Sequence, residues 1–70
     1  MGQQEIDTRF DYHQPDQSQQ TRMAGLRAQF KALAERLDEE LPVSRETSLA
    51  LTYLEQAQFY TNAAIARREA

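Results

Sequence analysis

Met23, Leu26, Phe30, Leu33, Leu37 and Leu41 recur at spacings of three and four, a stripe that only a helix gathers on one side. Pro15 and Pro42 bracket this stretch. Proline lacks a backbone donor and is tolerated in a helix only at its first turn, so the pattern predicts a long helix over residues 16–41. Beyond Pro42, Ser44 suits an N-cap, and the run from Arg45 to Arg68 holds neither glycine nor proline. This predicts a second long helix over 44–68. Two helices of similar length joined by so short a connection run antiparallel as neighbours. The piece before Pro15 carries a thinner stripe, Ile6 and Phe10, and predicts a segment or short helix over 1–14. The expected fold class is all-α: a short N-terminal helix plus a long antiparallel helical hairpin, forming one domain over 1–70.

The second long helix has more apolar surface than one neighbour needs. At 100° per residue, Leu49, Tyr60, Tyr53, Ala64, Ala57, Ala50, Leu54, Ile65 and Leu51 sweep an arc of about 200°. One packing contact takes about half of it. Asn62-Ala63-Ala64-Ile65-Ala66 adds small residues that let another helix approach closely. A 70-residue chain without cysteine has no disulfide or thiolate zinc site to stabilise it, and a chain of this size buries only about 60% of the surface its unfolded form exposes. Assembly into a compact homo-oligomer is the expected remedy.

Charge adds a second feature. The formal net charge is -3, which argues against a general binder of duplex nucleic acid, since such proteins displace counterions with a basic face. Between Gln17 and Ala34 the charged residues are Arg22, Arg27 and Lys31, whereas Glu35, Arg36, Asp38, Glu39 and Glu40 follow. That order is the reverse of what the helix macrodipole favours, and a local rule broken without evident gain hints at function. An antiparallel hairpin brings Arg67 and Arg68 towards Arg22, Arg27 and Lys31, and the N-terminal segment carries Arg9, Phe10, Tyr12 and His13 to the same end. Flat rings stack on nucleobases for about 1–3 kcal/mol per base while Arg or Lys neutralises the linking phosphates. A nucleotide-sized anion fits such a cluster. The spacing leaves a second reading open, in which Phe10 and Tyr12 cap the apolar stripe and the arginines form a solvated face. Gly25 lies inside a helical pattern, either to permit close approach or as an ordinary tolerated glycine.

Catalytic chemistry finds no constellation. His13 is the sole histidine, and Asp11 two residues away is poorly placed to share a metal with it. Ser44 is explained by its N-cap position, and Asp38-Glu39-Glu40 by a solvated helix end. No glycine-rich phosphate loop occurs. The chain is therefore expected to be no enzyme, with no catalytic residue, metal or cofactor. Its start, Met1-Gly2-Gln3-Gln4-Glu5-Ile6, lacks the basic and apolar runs of a signal peptide, and Ile6 departs from the Ser or Thr of a myristoylation site. A cytoplasmic protein without membrane attachment is expected.

The run Ser44-Arg45-Glu46-Thr47-Ser48-Leu49-Ala50-Leu51-Thr52-Tyr53-Leu54-Glu55-Gln56-Ala57, then Thr61-Asn62-Ala63-Ala64-Ile65-Ala66-Arg67, preceded by Arg9-Phe10-Asp11-Tyr12-His13-Gln14-Pro15, resembles the phage anti-CBASS cyclic-nucleotide sponges. These are related to the hairpin domain of anti-Thoeris sponges. The resemblance implies a homohexamer in the host bacterial cytoplasm that sequesters cyclic dinucleotides, and in some relatives cyclic trinucleotides, without degrading them, for immune evasion by a bacteriophage. It implies that Tyr12 stacks on the base and Arg27 holds the phosphate between protomers. It assigns Arg67 or Arg68 to a phosphate at a separate trinucleotide site. Phe10, His13 and Lys31 complete the candidate ligand-binding set. Two other functions compete: a helical protein–protein interaction module that inhibits or scaffolds a host protein through the apolar arc, and a small cyclic-nucleotide hydrolase.

Overall fold

Asp16 marks the point at which an extended backbone turns into the first long helix. Its carboxylate accepts a hydrogen bond from the Gln19 backbone N–H at 2.8 Å, and the Gln19 side-chain oxygen accepts from the Asp16 N–H at 3.0 Å. This reciprocal capping box satisfies two donors that a helix start otherwise leaves orphaned. A computed structural model describes residues 2–68 of the chain, so of the Met1-Gly2 start only Gly2 is described. Among the described residues the chain forms helices α1 (Gln3–Phe10), α2 (Gln17–Glu40) and α3 (Arg45–Arg68), and no strands. The class is all-α. The N-terminal helix ends at Phe10, short of His13, because Asp11 adopts an extended conformation and Pro15 lies ahead.

The hairpin connection is held by side chains. Ser44 Oγ accepts from the Thr47 N–H at 3.1 Å, and Thr47 Oγ1 donates to the Pro42 carbonyl at 2.6 Å. Ser44 thus caps α3 as its position suggests, a contribution of about 1 kcal/mol for such a residue, while Thr47 ties the turn to the helix it precedes. At the opposite end Gln19 acts a second time: its Nε2 donates to the Ile65 carbonyl at 3.1 Å. One residue thus caps α2 and also ties its start to the last turn of α3. That bond marks the register, with residue 19 level with 65 and residue 27 level with about 57.

Packing is one layer deep. Met23, Leu26, Phe30 and Leu37 of α2 are half-buried against Ala50, Leu51, Leu54 and Ile65 of α3, and Ile65, 8% exposed, is the one buried residue among those described. The principal extents are 45 × 29 × 13 Å and the radius of gyration is 15.2 Å, against about 11 Å for a compact 70-residue domain. The accessible surface is 5711 Å², whereas a folded monomer of this mass typically exposes about 4,500 Å². Large apolar side chains are among what is exposed. Leu49, Tyr53 and Tyr60 are 39%, 64% and 75% exposed, and together with Ala64 they line the side of α3 turned away from α2. The wide arc of α3 is thus split into a stripe that meets α2 and a stripe turned away from α2, which at its Tyr60–Ala64 end borders Arg9 and Phe10 of α1.

Candidate ligand-binding site

Tyr12 follows α1 on a short extended segment fixed from both sides. The Asp11 N–H donates to the Asp7 carbonyl at 2.9 Å, and the ring of His13 donates through Nε2 to the Thr8 carbonyl at 2.7 Å. Both bonds close the C-terminal turn of α1. On the far side, Gln20 Nε2 donates to the Pro15 carbonyl at 3.0 Å. The segment holds the Tyr12 ring 83% exposed, beside a groove lined by His13 and Pro15, by Met23 of α2, and by Asn62, Ala66 and Arg67 of α3. A flat ring beside a guanidinium and a primary amide suits a base joined to a phosphate.

Arg27 and Lys31 line a different groove, with Phe30 and Ala34 on one wall and Leu51, Glu55 and Gln58 on the other. The expectation that they join Arg67 and Arg68 at one end of the hairpin is corrected by the register: Arg27 stands level with about residue 57, near the middle of α2, and Lys31 lies a further turn towards the hairpin connection. Their groove and the Tyr12 groove are nonetheless successive stretches of one face. Met23 and Arg27 are one turn apart on α2, as are Gln58 and Asn62 on α3, and residues four apart share a helix face about 6 Å from one another. Neither Arg27 nor Lys31 makes an ion pair among the described residues, so both charges are available to an anion.

A third groove lies around the end of α3, lined by Arg9 and Phe10 of α1 and by Tyr60, Ala64, Arg67 and Arg68. Its three guanidinium groups differ in availability. Arg68 Nη1 donates to Glu5 Oε2 at 2.9 Å and Nη2 donates to Oε1 at 2.6 Å, and Arg9 Nε donates to Glu5 Oε1 at 3.2 Å. Arg67 has no such carboxylate partner among the described residues and borders both this groove and that of Tyr12. The choice between Arg67 and Arg68 that the sequence leaves open thus has a structural basis, with Arg67 the uncommitted cation. The sequence reading placed none of Glu5, Asn62 and Tyr60 in the ligand-binding set, naming Tyr60 for the apolar arc of α3 and Asn62 for its small-residue run. A polar Asn62 within an alanine run was a visible signal, whereas the pairing of Glu5 with Arg68 across 63 positions had none.

The Arg68 hydrogen bonds, assisted by Arg9 and opposed by desolvation, hold the Glu5 carboxyl at about 2 against an ordinary 4.5. A carboxylate lowered in this way favours the docked helix fully above pH 4.5 and loses that contribution as the pH falls through about 2. A carbon-detected titration of Glu5 is expected to show its midpoint near the lower value, with the amides of α1 losing exchange protection over the same interval. A midpoint at the ordinary value would show that Arg68 does not hold this group.

The Acb2/Tad1 hairpin domain model matches residues 2–66, spanning α1, α2 and all but the last two residues of α3. The chain belongs to this family, that of the anti-CBASS sponges. No curated protein and no solved structure matches the chain. Within this Acb2/Tad1 hairpin, Phe10, Tyr12, His13, Arg27 and Lys31 fall inside the matched segment, and Arg67 and Arg68 fall just beyond it. Gly25, at the middle of α2, has no atom within 4 Å of where a Cβ would stand, so nothing inside one chain requires a glycine there. Among the described residues no helix is long and apolar enough to cross a membrane.

Proposed function

We propose that the protein is a phage anti-defence sponge, acting in the host bacterial cytoplasm as a homo-oligomer that captures cyclic oligonucleotide second messengers and releases them chemically unchanged. The observation that carries this reading is the shared face on which an exposed Tyr12 ring and the unpaired Arg27 and Lys31 lie one after another. The ring supplies a stacking surface and the cations meet phosphates, which are the two features common to every cyclic oligonucleotide. Both grooves are open in one chain. A second protomer laid over them removes the ligand from water, and a site assembled before the ligand arrives avoids the entropic cost of ordering it afterwards. Tight capture then needs no catalytic group.

The apolar stripe of Leu49, Tyr53, Tyr60 and Ala64 supports self-association, and six copies is the number that the family resemblance implies. The same stripe supports a second reading, docking on a host protein. Native mass spectrometry of the protein with a panel of 3′,3′-cyclic dinucleotides and cyclic trinucleotides separates the two. The expected result is a homo-oligomer carrying ligand of unaltered mass. A monomer that takes up no panel member would favour the host-protein reading, and recovery of linear product would point to hydrolysis.

A further inference from the structure

The N-terminal helix is an appendage. Among the described residues it packs on α3 and stands clear of α2, it buries no side chain, and its best apolar anchor, Ile6, is 38% exposed. Eight residues are too few to be helical in isolation, so the position of α1 depends on what fastens it. The fork of Arg68 onto Glu5 is the one side-chain hydrogen-bonded tie from α1 to the hairpin among the described residues. It is bidentate, and Arg9 joins it to make a network, which are the conditions under which a surface ion pair contributes measurably.

We propose that Glu5 is a positioning residue for ligand capture: by clamping Arg68 it docks α1 on α3, and α1 in turn holds the Tyr12 ring over the groove that ends at Arg67. The inference rests on the sponge reading for its ligand. The transmission is traceable bond by bond. Arg68 fixes Glu5; the helix carries that constraint to Asp7 and Thr8; the carbonyls of those two residues accept from the Asp11 backbone and the His13 ring, with Tyr12 between. Glu5 also withdraws two guanidinium groups from the end groove, so that Arg67 faces a ligand without competing cations beside it.

These roles give a prediction of unusual sign. Glu5→Gln removes a negative charge and frees Arg9 and Arg68, so electrostatics alone would tighten the binding of an anion. Positioning requires the opposite. The experiment measures the Kd of the full chain for 3′,3′-cyclic di-AMP and 3′,3′-cyclic GMP–AMP by calorimetry, with hydrogen exchange of the α1 amides recorded without ligand. For Glu5→Gln the expected result is about tenfold weaker binding and lost α1 protection, and for the swapped pair Glu5→Arg with Arg68→Glu both return towards wild type. Unchanged or tighter binding by Glu5→Gln, with α1 protection lost, would overturn the proposal, as would α1 protection unaffected by the substitution. Wild-type protein that binds neither probe would overturn the role of Glu5 in capturing cyclic dinucleotides, and wild-type protein that binds no member of the cyclic di- and trinucleotide panel would overturn the sponge reading itself, while the exchange data would still decide whether Glu5 docks α1.

Discussion

Tyr12→Ala is expected to weaken ligand capture by about 5- to 150-fold, the equivalent of a lost base–aromatic stack of about 1–3 kcal/mol. The ring is 83% exposed, so its removal leaves no cavity, and sedimentation and helix content should match the wild type. Arg27→Ala should act with similar size by a different route. It deletes a charge-assisted hydrogen bond to phosphate, so the loss should be largest at low salt and shrink as ionic strength rises. The loss from Tyr12→Ala should be nearly independent of salt. Arg27→Lys distinguishes a planar fork from a point charge: partial retention of binding means that charge suffices, and full loss means that two parallel hydrogen bonds are required. Unchanged affinity in both alanine variants would remove this face from the site.

The doubly substituted Tyr53→Glu/Tyr60→Glu chain is expected to sediment as an 8.1 kDa monomer with reduced helix content, and the wild type is expected to sediment as a larger particle at micromolar concentration. Each tyrosine buried at an interface contributes about 1.5–3 kcal/mol, and a carboxylate in its place adds a desolvation penalty. Losing about 3 kcal/mol weakens association by about two orders of magnitude. Helix content should fall too, because a slab 13 Å thick with one buried side chain among the described residues has little of its own to offset the conformational entropy of ordering its backbone. Folding and assembly are then coupled, so wild-type thermal midpoints should rise with protein concentration. A wild-type particle of 8.1 kDa would show instead that the stripe awaits a different partner.

The secondary structure was legible because its signals are local. The stripe from Met23 to Leu41, the proline boundaries and the Ser44 cap each act within a few residues, and α2 and α3 begin and end within a residue of the predicted limits. Antiparallel pairing followed from the short connection alone, since a turn of this length cannot carry the chain to the far end of α2. The arc on α3 and the family strings likewise needed no coordinates. Other features depended on register, which no local pattern encodes. Arg27 belongs with Met23, Gln58 and the middle of the hairpin, because the apolar stripes of α2 and α3 pack at an offset that also lets Gln19 reach the Ile65 carbonyl. That offset places Arg27 and Lys31 away from the Arg67 end, to which the charge distribution had assigned them. His13, read from sequence as a ligand contact, has one ring nitrogen engaged in closing α1. The Glu5–Arg68 fork joins residues at opposite ends of the chain, and such a contact arises from three-dimensional proximity that spacing does not reveal. The sequence by itself thus determined the helices, their pairing and the residue types available for binding. Tertiary structure decided which cations lack a carboxylate partner among the described residues, which one pairs with α1, and which face brings a ring and two cationic side chains into line, because these depend on the offset between helices rather than on the order of residues within them.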